Sequence, residues 1–178
     1  MRNILLIFTD SYPYGNCEQY LENELKYYSN EFKRIIFIPI NIKGNSRIIP
    51  ENSEVLNIHS MVKYPKNMYF DVTPKFLNAY FVEKTIRNFK ITGKFITYFK
   101  LFYNAYRYAI SITKWLEVEN IKPAEIVFYS YWFYHWTLVM SIIKNTFQSS
   151  KFISRAHLND LYDYLDYNYW GGLKIQSL

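Results

Sequence analysis

The segment Ser154-Arg-Ala-His-Leu-Asn-Asp160 brings a guanidinium, an imidazole and a carboxylate close together along the chain. It follows a short run over 151–154 that is predicted as a strand. His157 can donate a hydrogen bond to a ligand hydroxyl, or to a phosphate when its ring is protonated. Arg155 can meet a phosphate or pair with Asp160, and an ion pair is the commoner outcome. We take His157 as the candidate catalytic residue and the other two as candidate phosphate-binding residues, against the alternative of a half-buried histidine without a ligand.

A second candidate site lies where an apolar run over 3–8 meets a Pro/Gly turn and a predicted helix over 17–30. Free N–H groups and the helix dipole favour an anion at such a helix start. Gly15 permits close approach of its backbone to a phosphate. Asn16 either tolerates the left-handed geometry of this turn or caps the helix. Glu18 is predicted in the first helical turn, where it compensates the dipole, or else orients the loop or meets a substrate.

Two aromatic side chains, Tyr131 and Trp132, directly follow a buried run over 125–130. Their rings are candidates for an aromatic wall against a ligand, and packing of the following helix is the alternative. For Trp136 the packing interpretation is preferred. His59 and His135 have no partners that the sequence identifies, so we expect them to be structural or exposed.

The elements that must position these residues alternate between strands and helices. Predicted strands are 3–8, 34–40, 55–58, 125–130 and 151–154, and predicted helices are 17–30, 75–88, 95–118 and 132–147. This order predicts an α/β Rossmann-like fold, a parallel sheet covered by helices, in a single domain over 1–178. Ligands bind beyond the carboxyl ends of the strands in such sheets, so the candidate residues should share one rim.

Composition sets further bounds. The chain has 178 residues, enough for one domain with a real core, and carries a formal net charge of +6. Its single Cys17 excludes an internal disulfide and fits a reducing compartment, and no signal peptide is visible. Aspartates recur every third residue over 160–166, but an acidic solvated face is the simpler account than a metal site. We expect no bound metal and no resident cofactor.

A basic run without acidic residues extends from Lys84 to Lys114. Lys100, Arg107 and Lys114 fall on one narrow polar stripe of the long predicted helix, and they argue against a membrane span. They are candidates for facing anionic lipid, where each basic side chain contributes about 1 kcal/mol to membrane binding. A solvated helix face is the alternative. No nucleic-acid motif is present. We expect a cytoplasmic protein, with a peripheral position at the inner membrane face as a further expectation.

Three segments together resemble the N-terminal half of GT-B retaining glycosyltransferases related to family 4, which include enzymes of bacterial surface-polysaccharide biosynthesis. They are Phe8-Thr-Asp-Ser-Tyr-Pro-Tyr-Gly-Asn-Cys-Glu-Gln-Tyr-Leu-Glu-Asn-Glu-Leu25, Ser130-Tyr-Trp132 and Ser154-Arg-Ala-His-Leu-Asn-Asp-Leu-Tyr162. The resemblance implies one of two Rossmann-like domains, the one that mainly holds the acceptor. We expect the C-terminal donor-binding domain to be absent, and therefore a fragment that does not transfer sugar alone.

The resemblance also implies roles for particular residues. The loop at Gly15 would approach the donor diphosphate through backbone N–H groups, with Asn16 in place of the usual second glycine. His157 matches the histidine near the transferred sugar, although Leu158-Asn159 replaces the family's Gly-Tyr. Tyr131 and Trp132 would meet the acceptor.

The expected partners are a nucleotide-sugar co-substrate, a glycan acceptor on a lipid carrier, and an anionic membrane surface. Three alternatives stay open. The chain could be a noncatalytic α/β module that binds a nucleotide or a protein. It could be one subunit of a split glycosyltransferase with a separate donor-binding chain. It could also be a peripheral membrane protein whose main role lies in its basic helix.

Overall fold

The structure is a computed structural model that describes residues 2–61, 95–133 and 135–156. Its strands are β1 (Arg2–Thr9), β2 (Phe32–Pro39), β3 (Ser53–Val55), β4 (Ile126–Ser130) and β5 (Lys151–Ser154). Its helices are α1 (Leu21–Glu31), α2 (Ile58–Met61), α3 (Phe95–Val118) and α4 (His135–Lys144), with a 3₁₀ turn at Pro123–Glu125. The strands form one five-stranded, all-parallel sheet in the order β3-β2-β1-β4-β5. The predicted α/β Rossmann-like fold is confirmed.

The central strands are buried on both faces. In β1, Ile4 to Thr9 are all buried, and so is every residue of β4. Such unbroken apolar runs are typical of parallel strands that helices cover on both sides. The edge strand β5 instead alternates between exposed and half-buried residues.

Two core layers lie on opposite sides of the sheet, because alternate side chains of a strand point to opposite faces. On one face, Leu6 and Phe8 pack with Ile112 of α3 and Val139 of α4. On the other face, the side chains from β1 pack with the helix α1. That second layer includes Leu5, Ile7, Leu21, Leu25, Val127 and Tyr129.

Some element bounds match the predictions and others do not. The bounds of α3 and β5 agree with the prediction. The helix α1 begins at Leu21, four residues later than predicted, because the preceding loop is held by contacts described below. The strand β3 ends at Val55, where the prediction placed its start. The helix predicted over 75–88 lies outside the described residues.

The topology creates a crevice beside β1. From β1 the chain moves outward to β2 and β3, and it then returns to place β4 on the other side of β1. The connections that leave β1 and β4 therefore diverge to opposite sides at their carboxyl ends. This is the switch point at which open parallel sheets bind ligands.

Candidate functional site

The three segments that stood out in the sequence follow three adjacent strands. Phe8 of β1 pairs with Ser130 of β4, which in turn pairs with Ser154 of β5. Beyond the strands, the N–H of Tyr131 donates to the Phe8 carbonyl (3.0 Å), and the N–H of Arg155 donates to the Ser130 carbonyl (2.9 Å). The expectation that these segments share one rim of the sheet therefore holds for their described residues.

Glu18 organises the loop after β1. Its carboxylate accepts hydrogen bonds from the backbone N–H groups of Asp10 (2.8 Å), Ser11 (3.0 Å) and Tyr12 (2.7 Å). The residue is only 6% exposed, and it lies before α1 with a φ of 60°. Its predicted place in the first helical turn is wrong, because its side chain turns back to satisfy the donors at the end of β1.

Trp132 closes this arrangement from the loop after β4. Its indole Nε1 donates to Oε1 of Glu18 over 2.9 Å. The Trp132 side chain is half-buried and meets the Tyr131 ring edge-on, with 5.3 Å between the ring centroids. Tyr131 itself is 1% exposed and belongs to the core. Tyr131 therefore offers no face to a ligand, and Trp132 is the residue of this pair that stays a candidate for the predicted aromatic wall.

The N–H group of Gly15 is not free to bind an anion. Gly15 has a φ of 63°, a conformation that favours glycine, but its N–H donates to the Asn45 carbonyl over 3.3 Å. The helix cap is Tyr20 and no side chain caps it, so the prediction of Asn16 as N-cap is wrong. Asn16 is exposed in the loop.

The first backbone N–H groups of α1 are also hydrogen-bonded within the chain. The N–H groups of Leu21, Glu22 and Asn23 donate to the carbonyls three residues earlier, over 3.1 to 3.2 Å. The anion site expected from free N–H groups at this helix start is therefore not supported by the geometry. The backbone donors that do converge on an anion are those bound to Glu18.

Arg47 braces the same loop from the connection between β2 and β3. Its Nε donates to the Gly15 carbonyl (2.9 Å), and its fork also donates to the Cys17 carbonyl and to Glu22. The guanidinium lies over the Tyr12 ring, 4.8 Å from the centroid. Sequence reasoning missed Arg47, because its partners lie about 25 to 35 residues away and no local pattern marks it.

Arg155 forms an ion pair with Glu24 of α1. The sequence had suggested a phosphate or Asp160 as its partner. Glu24 also accepts hydrogen bonds from the hydroxyls of Tyr28 and Tyr129, each over 3.0 Å. The Glu24 side chain is only 24% exposed. His157 and Asp160 lie outside the described residues, so their roles stay predictions.

The surroundings of this cluster fix its protonation. Burial and the Glu24 charge raise the pKa of Tyr28 to about 12, and the same two causes raise the pKa of Tyr129 still further. Burial alone would lower the pKa of Arg155, but Glu24 and Tyr129 more than offset it. The phenols therefore act as neutral donors, while the guanidinium stays charged. The Arg155 side chain is 38% exposed at the rim.

Tyr20, the cap residue of α1, carries an exposed ring that was missed in the sequence. It is 73% exposed, as is Tyr27 further along α1. Burial is the main reason that the pKa of Tyr131 is raised, and the nearby hydroxyl of Tyr20 acts in the same direction. Tyr20 therefore lies within electrostatic range of the buried Tyr131.

Two histidines flank the rim on the other face of the sheet. Burial lowers the pKa of His135 to about 4, and its Nε2 has no hydrogen-bond partner among the described residues. The neighbouring Trp136 is fully buried and donates from Nε1 to the Thr9 carbonyl over 2.8 Å, which agrees with its predicted packing role. His59 has a partner that the sequence did not identify, since its Nε2 meets the Ile40 carbonyl at 2.7 Å.

The basic stripe of α3 is only partly described. Lys114 is exposed, whereas Arg107 is half-buried with its guanidinium 5.8 Å from the Tyr103 ring centroid. Lys100 lies in the helix, but its side chain is outside the described set. Within the described segments, no helix has the length and apolarity needed to cross a bilayer. The same segments contain no group of His, Cys, Asp and Glu side chains that could hold a metal ion.

Comparison with models of known families, with curated proteins and with solved structures finds no match for this chain.

Proposed function

We propose that this chain is the acceptor-side half of a glycosyltransferase, which moves a sugar from a nucleotide-sugar donor to a glycan acceptor. The observation that carries the proposal is the placement of the three resembling segments. They follow β1, β4 and β5, which are neighbours in the sheet, so their loops open on one rim at the switch point. A crevice of this kind is the usual ligand site of an open parallel sheet.

The side chains at this rim suit a neutral polyhydroxyl ligand. Tyr20 offers an exposed ring, and Trp132 keeps part of its indole at the surface. Aromatic faces pack against the apolar faces of pyranose rings, and the exposed part of the Arg155 fork can donate to sugar hydroxyls. The backbone donors after β1 are occupied by Glu18. We therefore assign the acceptor to this rim and the donor diphosphate to a separate donor-binding half.

In the full reaction this half would contribute mainly by positioning. Holding an acceptor hydroxyl in line with the donor sugar supplies part of the rate enhancement through proximity and orientation. Stabilisation of the leaving phosphate would come from the donor-binding half. His157 remains the proposed catalytic residue because it follows the strand that leads to Arg155 at the rim.

The test uses two tyrosines as a matched pair. Tyr20, the cap residue of α1, and Tyr27 within the helix are equally exposed, but of the two only Tyr20 acts electrostatically on Tyr131. Isothermal titration with a panel of neutral di- to tetrasaccharides should detect binding to the unaltered chain. Tyr20→Ala should weaken it by roughly five-fold, the loss of about 1 kcal/mol of ring contact, while Tyr27→Ala should leave it unchanged.

UDP-glucose added alone serves as the donor probe in the same titration. The proposal expects it to bind far more weakly than the best saccharide, because the proposal assigns the donor to the other half of the enzyme. Absence of saccharide binding, or equal losses in both tyrosine variants, would contradict the proposal. Tight binding of UDP-glucose without saccharide binding would favour a nucleotide-binding module instead.

A lipid-linked acceptor and a position at an anionic membrane belong to the same proposal. Lys114 supports it as an exposed cation on α3. Flotation with vesicles that contain phosphatidylglycerol tests it, and Lys114→Gln should reduce the bound fraction. Lys26→Gln, an exposed lysine on α1, is the matched control. Equal flotation of all three proteins would contradict the membrane part of the proposal.

A further inference from the structure

Four N–H donors converge on one carboxylate at the switch point of the sheet. Three come from the consecutive backbone groups of Asp10, Ser11 and Tyr12, at 2.7 to 3.0 Å from the Glu18 oxygens. The fourth is the indole N–H of Trp132, at 2.9 Å. Each carboxylate oxygen of Glu18 therefore accepts two hydrogen bonds, Oε1 from Asp10 and Trp132 and Oε2 from Ser11 and Tyr12.

This arrangement has the properties of an anion-binding site. Successive backbone N–H groups that point into one concavity bind carboxylates and phosphates, and hydrogen bonds to an ionised acceptor are stronger than neutral ones. The site is built from the ends of two adjacent strands, β1 and β4, where parallel sheets place their ligands. It is also shielded from water, since Glu18 is 6% exposed.

Glu18 reaches this position from an unfavourable backbone conformation. Its φ of 60° lies in the left-handed region, which costs a non-glycine residue roughly 1 kcal/mol or more. The neighbouring Asn16, Cys17 and Gln19 are exposed, so packing of the loop itself does not account for that conformation. The contacts of the carboxylate with the four donors offset the cost of that conformation, and Arg47 holds the preceding Cys17 carbonyl.

We propose that the N–H groups of Asp10, Ser11, Tyr12 and Trp132 form an anion-binding site for a carboxylate or phosphate group, which Glu18 fills from within the chain. The inference goes beyond the proposed function and does not depend on it. A free anion is kept out of the site by the bound side chain and by its charge. Removal of the Glu18 side chain therefore opens a site for a small external anion.

The experiment compares Glu18→Gly with Glu18→Gln. Glycine removes the carboxylate and relieves the positive φ, while glutamine keeps the side-chain volume without the charge. Each variant and the unaltered protein are heated with propionate, which matches the deleted side chain, or with inorganic phosphate. Propionamide serves as the neutral analogue of propionate, and sodium chloride matches the ionic strength.

Glu18→Gly should show a saturable rise in its thermal midpoint with propionate, because a ligand that binds only the folded state stabilises it. The amide signals of residues 10–12 and the Trp132 indole signal should shift together in NMR spectra. A matching response to phosphate assigns a general anion site, and a response to propionate alone assigns a carboxylate site. The unaltered protein and Glu18→Gln should respond to neither, since their side chains occupy the space.

Two results would overturn the proposal. One is a Glu18→Gly protein that responds equally to propionate, propionamide and chloride. The other is an anion response of the same size in the unaltered protein. If Glu18→Gly does not fold alone, its refolding yield replaces the midpoint as the readout. A yield that rises with propionate but not with propionamide supports the site, and a yield that no anion raises contradicts it.

Discussion

Glu18 and Trp132 are 114 residues apart in the sequence, yet a 2.9 Å hydrogen bond joins the indole Nε1 to the carboxylate. The bond links the loop after β1 to the loop after β4, across the crevice where the two connections diverge. It holds the half-exposed indole at the rim while the same carboxylate fixes the backbone after β1. The two loops therefore depend on one buried side chain.

Glu18→Gln should destabilise the fold by about 3 kcal/mol. The amide replaces one accepting oxygen with an N–H₂ group that faces N–H donors, so buried donors lose their charged acceptor. Urea unfolding measures the change in free energy. Glu22→Gln is the control, because Glu22 has a half-exposed side chain and a single ion pair with Arg47; it should cost less than about 1 kcal/mol. Equal losses of unfolding free energy in the two variants would contradict the structural role assigned to Glu18.

Arg47→Lys should destabilise the protein by roughly 1 to 2 kcal/mol, because a lysine cannot bond two backbone carbonyls and a carboxylate in the same plane. The side chain of Arg47 is 19% exposed. Arg34→Lys is the matched control, since Arg34 makes half-exposed ion pairs with Glu54 and Glu119 and lies over the Trp115 ring, with no backbone carbonyl among its described partners. It should cost well under 1 kcal/mol. Chemical denaturation of both variants tests the difference, and a larger loss in Arg34→Lys would refute it.

His135 should make stability fall in mild acid. Its folded pKa of about 4 lies below the ordinary value of 6.5, so the unfolded chain binds the proton first as the pH falls. The stabilisation that is present above pH 6.5 is lost between about 6.5 and 4, a change of roughly 2 to 3 kcal/mol. Urea unfolding at several pH values in this window measures it.

The variant His135→Leu separates this effect from the titration of carboxylates. It should be at least as stable as the unaltered chain at neutral pH, because the buried Nε2 loses no described partner. The stability of His135→Leu should fall less between pH 6.5 and 4 than that of the unaltered chain. His59→Leu, which removes an exposed ring, should keep the full pH dependence. An unchanged acid slope in His135→Leu would show that the imidazole is not the cause.

Much of the fold could be predicted from local patterns. Continuous apolar runs marked the central strands, and helical spacing gave α3 its bounds, because both features depend on residues near one another in the chain. The start of α1 could not be found this way. The segment 17–20 has a helical pattern, but Glu18 is drawn out of it by donors at the end of β1 and by Trp132.

The candidate site was only partly predictable for the same reason. Strand ends located the rim, since parallel strands end on one edge. The partners across that rim are long-range: Arg155 meets Glu24 from 131 residues away, and Arg47 meets Gly15 from 32 residues away. Exposed Tyr20 carried no signal, because nothing local distinguishes it from Tyr27.

The most direct test of the central claim is an NMR map of saccharide binding on the ¹⁵N-labelled chain. The account predicts that the best-binding saccharide shifts the signals of Tyr20, Trp132 and Arg155, at the carboxyl ends of the strands, and leaves Tyr27 unmoved. Shifts confined to the opposite edge of the sheet, near Phe32 and Ile126 where β2 and β4 begin, would contradict it.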